Sequence, residues 1–151
     1  MIIRLAKQKD TCRAALLGMA SQGVCVEDLP IELQQSAYIG MSNMIGDLHY
    51  QVIVAEDVAA GVVGVMIGEL DTGNESVISA RGLYILTQYR NAGVAKDMIN
   101  FGVNQARLMG CDKIRFMTGP EEKSYYSRMG AKIVQQEWEL ELKQNEQHKA
   151  A

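Results

Sequence analysis

The chain reads as one α/β (α+β) domain, with a mixed, mostly antiparallel central sheet flanked by helices. Of its 151 residues 48% are hydrophobic and 22% charged, and only two are prolines. A chain of this size buries enough surface to fold as one unit without a staple. After a short first strand the hydrophobic pattern is helical up to about Met44, shifts to β-branched-rich runs between Tyr50 and Leu86, and is helical again to Met109. Three antiparallel strands then lead into a strand–helix–strand crossover, an order that requires a mixed sheet.

Ile2 to Leu5 is predicted as a short first strand. Asp10 is placed to cap a helix over Thr11 to Ala20, with Cys12, Ala15, Leu16 and Met19 on one face. Gly23 to Pro30 reads as a loop, and a second helix runs from Ile31 to about Met44. Its apolar positions, Ile31, Leu33, Ala37, Ile39, Met41 and Met44, are less cleanly periodic. Tyr50 to Ala55 and Val62 to Leu70 are joined by Glu56 to Gly61, which predicts a hairpin. Asp71-Thr72-Gly73-Asn74 is dense in turn residues, and Ser76 to Leu86 follows as a third strand. Gly82 inside that strand predicts a bulge or a close backbone approach.

A long helix continues to Met109 with Ala95, Met98, Ile99, Gly102, Val103 and Ala106 on one side, and Gly110 stops it. Lys113 to Met117 is another strand. Pro120 starts a short helix through Met129 that Gly130 ends, and Ala131 to Leu142 reads as a last strand. Residues 1–142 are therefore expected to form a single domain. Residues 143–151, uniformly polar or small, are expected to be a flexible tail.

A net charge of −3 and a pI near 5.4 give no global basic field, so no nucleic-acid partner is expected. Cys12, Cys25 and Cys111 are odd in number, far apart and without a C-x-x-C pair, which argues against disulfides and zinc. Free, mostly buried thiols in a reducing compartment are expected. His49 and His148 have no cysteine at ligand spacing, so no metal site is expected. The start, Met-Ile-Ile-Arg-Leu-Ala-Lys, is too short and too soon charged for a signal peptide. The longest apolar stretch, Val58 to Gly68, contains three glycines and cannot span a bilayer. A soluble cytoplasmic protein without a membrane partner follows as the expectation.

Chemistry concentrates where the third strand meets the long helix, at Arg90-x-x-Gly93-x-Ala95. A helix N-terminus presents unpaired N–H groups and partial positive charge. Gly93 lets an anion approach the backbone, small Ala95 keeps the first turn uncrowded, and Arg90 adds charge. Together they suit a phosphate or pyrophosphate.

The segment Tyr89-Arg90-Asn91-Ala92-Gly93-Val94-Ala95 closely resembles the acyl-CoA pyrophosphate loop of the GNAT N-acetyltransferase superfamily, with its pattern Gln/Arg-x-x-Gly-x-Gly/Ala. Tyr125-Tyr126-Ser127-Arg128-Met129-Gly130-Ala131 is similar to that family's late helix, in the right order and with a strand between. The resemblance implies a GNAT-like acyl-CoA N-acyltransferase fold and acetyl-CoA (acyl-CoA) as cofactor. It also implies direct attack of a primary amine on the thioester. Leu83, Tyr84 and Ile85 would offer backbone contacts, Arg90, Asn91, Ala92, Gly93, Val94 and Ala95 would hold the pyrophosphate, and Tyr126 would protonate the leaving thiolate. The amine acceptor, a small molecule or a protein, would lie against residues from about Gly18 to Tyr50. An apolar sheet edge leaves room for a homodimer.

Three features depart from the family pattern. Gly119 and Pro120 stand where an asparagine often precedes the late helix, Ala131 replaces a frequent aromatic, and the bulged strand carries Ser79 and Arg81 but no carboxylate. The general base stays unassigned among Glu69, Glu75, His49 and a water chain. The alternatives are a catalytically weak or inactive GNAT-fold module that binds acyl-CoA or serves a structural role, and a domain for another phosphate-bearing ligand. Leu70-Asp71-Thr72-Gly73 has an aspartic-protease-like triplet, but one copy in a helical chain reads better as a hairpin turn. Glu137, Glu139 and Glu141 read as a solvated strand face, and the nine methionines as adaptable core filler.

Overall fold

Two central strands carry the apolar runs that the sequence marks most clearly, and the rest of the fold packs around them. The computed structural model describes residues 1–71, 73 and 76–116. The elements are β1 (Ile2–Leu5), α1 (Thr11–Ala20), α2 (Ile31–Gly46), β2 (Tyr50–Asp57), β3 (Gly61–Leu70), β4 (Val77–Ile85), α3 (Val94–Leu108) and β5 (Lys113–Phe116). The sheet order is β1-β2-β3-β4-β5, antiparallel throughout except for the parallel β4–β5 pair that α3 connects. The mixed, mostly antiparallel sheet expected from the sequence is what forms. The expected helix over Pro120 to Met129, the last strand, Tyr126 and the boundary at 142–143 lie outside the described residues.

β2 and β3 are buried on both faces, from Val52 to Ala55 and from Val62 to Met66, because helices cover both sides of the sheet. On one face Ala14, Ala15 and Leu17 of α1 and Met41 of α2 pack on Val52, Val54 and Val65. On the other lies α3, whose Met98 and Ile99 are among the most fully buried side chains. Two glycines allow its close approach. A Cβ at Gly64 would meet Met98 Sδ at 3.3 Å, and one at Gly102 would meet Ile53 Cδ1 at 3.4 Å. α3 ends as Gly110 predicts: at φ 86° its N–H reaches the Arg107 carbonyl, and the Cys111 N–H reaches that of Ala106.

Several expectations are corrected. The buried face of α1 is Ala14, Ala15 and Leu17, while Cys12 is exposed, since the sheet meets the helix at a different rotation. Cys25 is exposed too, so only Cys111 is a buried thiol, and burial raises its pKa. Asp10 does occupy the N-cap position of α1, but its carboxylate accepts from Arg4 and from the Lys7 N–H instead of the helix amides. Ile31, Leu33 and Ile39 of α2 are exposed, because the helix faces the core with Met41, Tyr38, Met44 and Ile45. Within α3, Val94 joins the buried set, and Ala95 and Val103 are half-buried. The Gly23–Pro30 loop contains a short 3₁₀ turn, Val26–Asp28. Strand and helix ends shift by one or two residues, as in β2, which extends to Asp57.

Candidate functional site

The end of β4 and the start of α3 bring the predicted loop and strand residues together. After Ile85 the chain makes a 3₁₀ turn over Thr87–Tyr89, then passes through Asn91 at φ 65° and Gly93 at φ 81° before α3 begins. Both residue types tolerate the left-handed region, glycine freely and asparagine at modest cost. The Gly93 carbonyl accepts from the Asp97 N–H at 3.0 Å, the first bond of the helix. Helix geometry leaves the N–H groups of Gly93, Val94, Ala95 and Lys96 without an intrahelical acceptor. The left-handed residue followed by helical ones curls these amides into a concave anion nest, and the dipole of α3 adds positive potential. Among the described residues a Cβ at Gly93 would meet nothing within 4 Å, which leaves the mouth of the helix open on their side. These residues fit a diphosphate.

Arg90 is exposed, and its Nε donates to the Ile85 carbonyl at 2.8 Å. The guanidinium sits 5.2 Å over the Tyr84 ring. Arg90 therefore ties the loop back to β4 besides bringing charge. Its neighbour Tyr89 reaches the other way, donating from its hydroxyl to Asp57 Oδ2 at 2.6 Å at the end of β2. That hydrogen bond holds the Asp57 carboxyl below its usual range and raises the Tyr89 phenol. No local pattern announces this contact, since 32 positions separate the partners.

The bulge predicted near Gly82 is present. Ile67 pairs with Gly82 and Gly68 with Ala80, so Arg81 is the extra residue. A Cβ at Gly82 would lie 3.3 Å from Ser21 Oγ, which places the end of α1 against the bulge. Beyond it the ladder is regular, and the Leu86 N–H bonds the Val63 carbonyl. Antiparallel alternation then turns the backbone groups of Leu83 and Ile85 away from β3, and Arg90 meets the Ile85 carbonyl on that side. Among the described residues β5 pairs with β4 from Val77 to Ala80. Tyr84 packs with the core under α1 and α2.

Of the candidate bases, Glu69 lies opposite Ser79 and pairs with Arg81 at 3.0 Å. His49 is exposed at the turn before β2, and Glu75 lies outside the described residues. Among the described residues no three His, Cys, Asp or Glu side chains gather as a metal site, and no helix is long and apolar enough to cross a membrane.

Three solved structures share this architecture. A ribosomal-protein-alanine N-acetyltransferase from Brucella melitensis biovar Abortus 2308 aligns at TM-score 0.71 and 16% identity, over 93% of this chain and 99% of that one. The aminoglycoside N-acetyltransferase AAC(6')-Iy in complex with CoA aligns at 0.75 and 16%, over 93% of each chain. A Trypanosoma brucei acetyltransferase aligns at 0.70 and 18%, over 93% and 99%. At such identities the likeness is one of fold. Among curated proteins none matches. Residues 24–131 match the model of the acetyltransferase (GNAT) family, well over half of the 151-residue sequence. With the bulged fourth strand and the open mouth of α3 in that same stretch, the chain belongs to the GNAT acetyltransferase family.

Proposed function

We propose that the protein is an N-acetyltransferase that moves an acetyl group from acetyl-CoA to a primary amine by direct attack. The observation that carries this is the open amide nest at Gly93, set at the end of a bulged strand whose backbone groups face outward. Bound acetyl-CoA would supply the activated acetyl group. The loop Arg90, Asn91, Ala92, Gly93, Val94 and Ala95 would hold the diphosphate through backbone amides and helix dipole. Leu83, Tyr84 and Ile85 would line the cofactor's arm, with the outward N–H groups of Leu83 and Ile85 as donors for developing negative charge. Tyr126 would provide the proton that the leaving sulfur takes up.

The acceptor is a small-molecule or protein amine, a range that the aminoglycoside and ribosomal-protein enzymes of the same fold illustrate. We place its site beside Ser21, where the α1–α2 connection meets the bulge. Residues 1–142 are read as one domain, and three free thiols, two of them exposed, suit the cytoplasm.

Calorimetric titration with acetyl-CoA tests the cofactor; absence of binding at millimolar concentration would exclude it. Tyr126→Phe should lower turnover with an amine acceptor roughly 10²-fold or more, with acetyl-CoA affinity unchanged. A variant at full rate would remove the proton-donor role. A second reading, a module that binds acyl-CoA without turnover, is favoured by Ser79 and Arg81 at the bulge and by the engagement of Glu69 with Arg81. Binding without acetylation across a broad amine panel would select it, and competition by ADP or other nucleotides would point to a different phosphate ligand.

A further inference from the structure

The loop that forms the amide nest contains two left-handed residues within three positions, Asn91 and Gly93. Gly93 adopts this backbone freely, whereas at Asn91 it is uncommon and persists where the surroundings hold it. Two contacts on consecutive residues do so, in opposite directions. Arg90 is drawn back to β4 through the Ile85 carbonyl, and Tyr89 is drawn across to Asp57 at the end of β2. The Asp57 carboxylate is committed on both oxygens. Oδ2 accepts from Tyr89 at 2.6 Å, and Oδ1 accepts from the Ala59 N–H at 3.1 Å in the β2–β3 turn. Tyr89 and Asp57 are both half-buried. The hairpin turn, the carboxylate and the loop are thus one hydrogen-bonded chain ending four residues before the helix cap at Gly93.

We propose that Tyr89 and Asp57 are positioning residues. Their hydrogen bond sets the amides of residues 93–96 for a diphosphate, which makes the β2–β3 turn part of the cofactor-binding device. This rests on the acetyl-CoA function proposed above. Neither side chain contacts the reacting atoms; each acts through the backbone of the loop. A phenylalanine at 89 removes one hydroxyl and nothing else.

The test compares the full chain with Tyr89→Phe, Asp57→Ala and the double variant. Acetyl-CoA affinity is measured by calorimetry, and amide hydrogen exchange of residues 91–96 is measured without ligand. Each single variant should bind acetyl-CoA about three- to tenfold more weakly, the scale of one hydrogen bond to a charged group at a partly exposed site. The double variant should be no weaker than either single one. Asp57→Asn, which keeps a side-chain acceptor, should recover part of the loss. Amides 91–96 should exchange faster in Tyr89→Phe, while amides in the core of the sheet are unchanged.

The proposal is overturned if the unmodified protein binds acetyl-CoA and the single variants bind within twofold of it. It is also overturned if the two losses multiply in the double variant, since the residues would then act separately. Should the unmodified protein not bind acetyl-CoA at all, the cofactor assignment falls. Exchange then decides the loop: faster exchange in Tyr89→Phe keeps the positioning contact, and unchanged exchange removes it.

Discussion

A Cβ at Gly93 would meet no atom of the described residues within 4 Å, yet the residue stands at φ 81°. Gly93→Ala should therefore cost only the left-handed backbone penalty, about 1–2 kcal/mol in urea unfolding. Gly93→Val should in addition lose acetyl-CoA binding at least tenfold, because its branches occupy the space above the amides. Equal affinities would take the loop out of cofactor binding. Asp10 is the opposite kind of residue, 5% exposed and charged. Arg4 and the Lys7 N–H hold its carboxyl below the usual carboxylate range. A depressed folded value means the stabilisation is complete above the unfolded pKa, near 4, and is lost as the pH falls through the folded value. Asp10→Asn should lose about 2–3 kcal/mol at pH 7 and show a flatter loss of stability on acidification below about pH 4 in denaturant titrations. The position of Asp10 before a helix was legible in the sequence, and its partner was not. Arg4 comes from a strand, and no local pattern announces an ion pair made by tertiary packing. Gly93 was legible because its role is local, a glycine one residue ahead of a helical pattern.

At the level of elements, α3 seats on the sheet through glycines. A Cβ at Gly64 would find Ala55 Cβ, an Ile85 side-chain carbon and Met98 Sδ all at 3.3 Å. Gly64→Ala should overpack this contact and cost about 1–3 kcal/mol by chemical denaturation. It should also weaken acetyl-CoA binding, since Ile85 and α3 both frame the nest. A fully stable variant would mean that α3 shifts freely. The order of the described strands and helices and the β4 bulge were readable, because period, turn residues and an interior glycine are local signals. The rotation of α1 and α2 was not. Ala14 and Ala15 are adjacent small residues that fit either side of a helix, and Ile31, Leu33 and Ile39 mislead because apolar residues also stand on exposed faces. The Tyr89–Asp57 contact was equally hidden, since it depends on how the hairpin turn and the loop meet in space.

At the scale of the molecule, the order of the five described strands in the sheet repeats chain order. The β2–β3–β4 meander can zip up through short connections, and β5 joins after one helical crossover. β1 differs, because Ile2 meets Glu56 across the entire α1–α2 segment. Loop closure entropy grows with that span, and β1 adds just four residues at the rim of the sheet. Deuterium labelling should find β1 amides exchanging before those of β2 and β3; protection equal to theirs would contradict this order. The wide detour also has a kinetic consequence. The meander needs no help from the N-terminal segment to assemble, whereas the helices that cover one of its faces arrive with β1. A chain paused before that docking would show bare valines of β2 and β3 to its neighbours, and the interval between zipping and capping is when self-association would compete with folding.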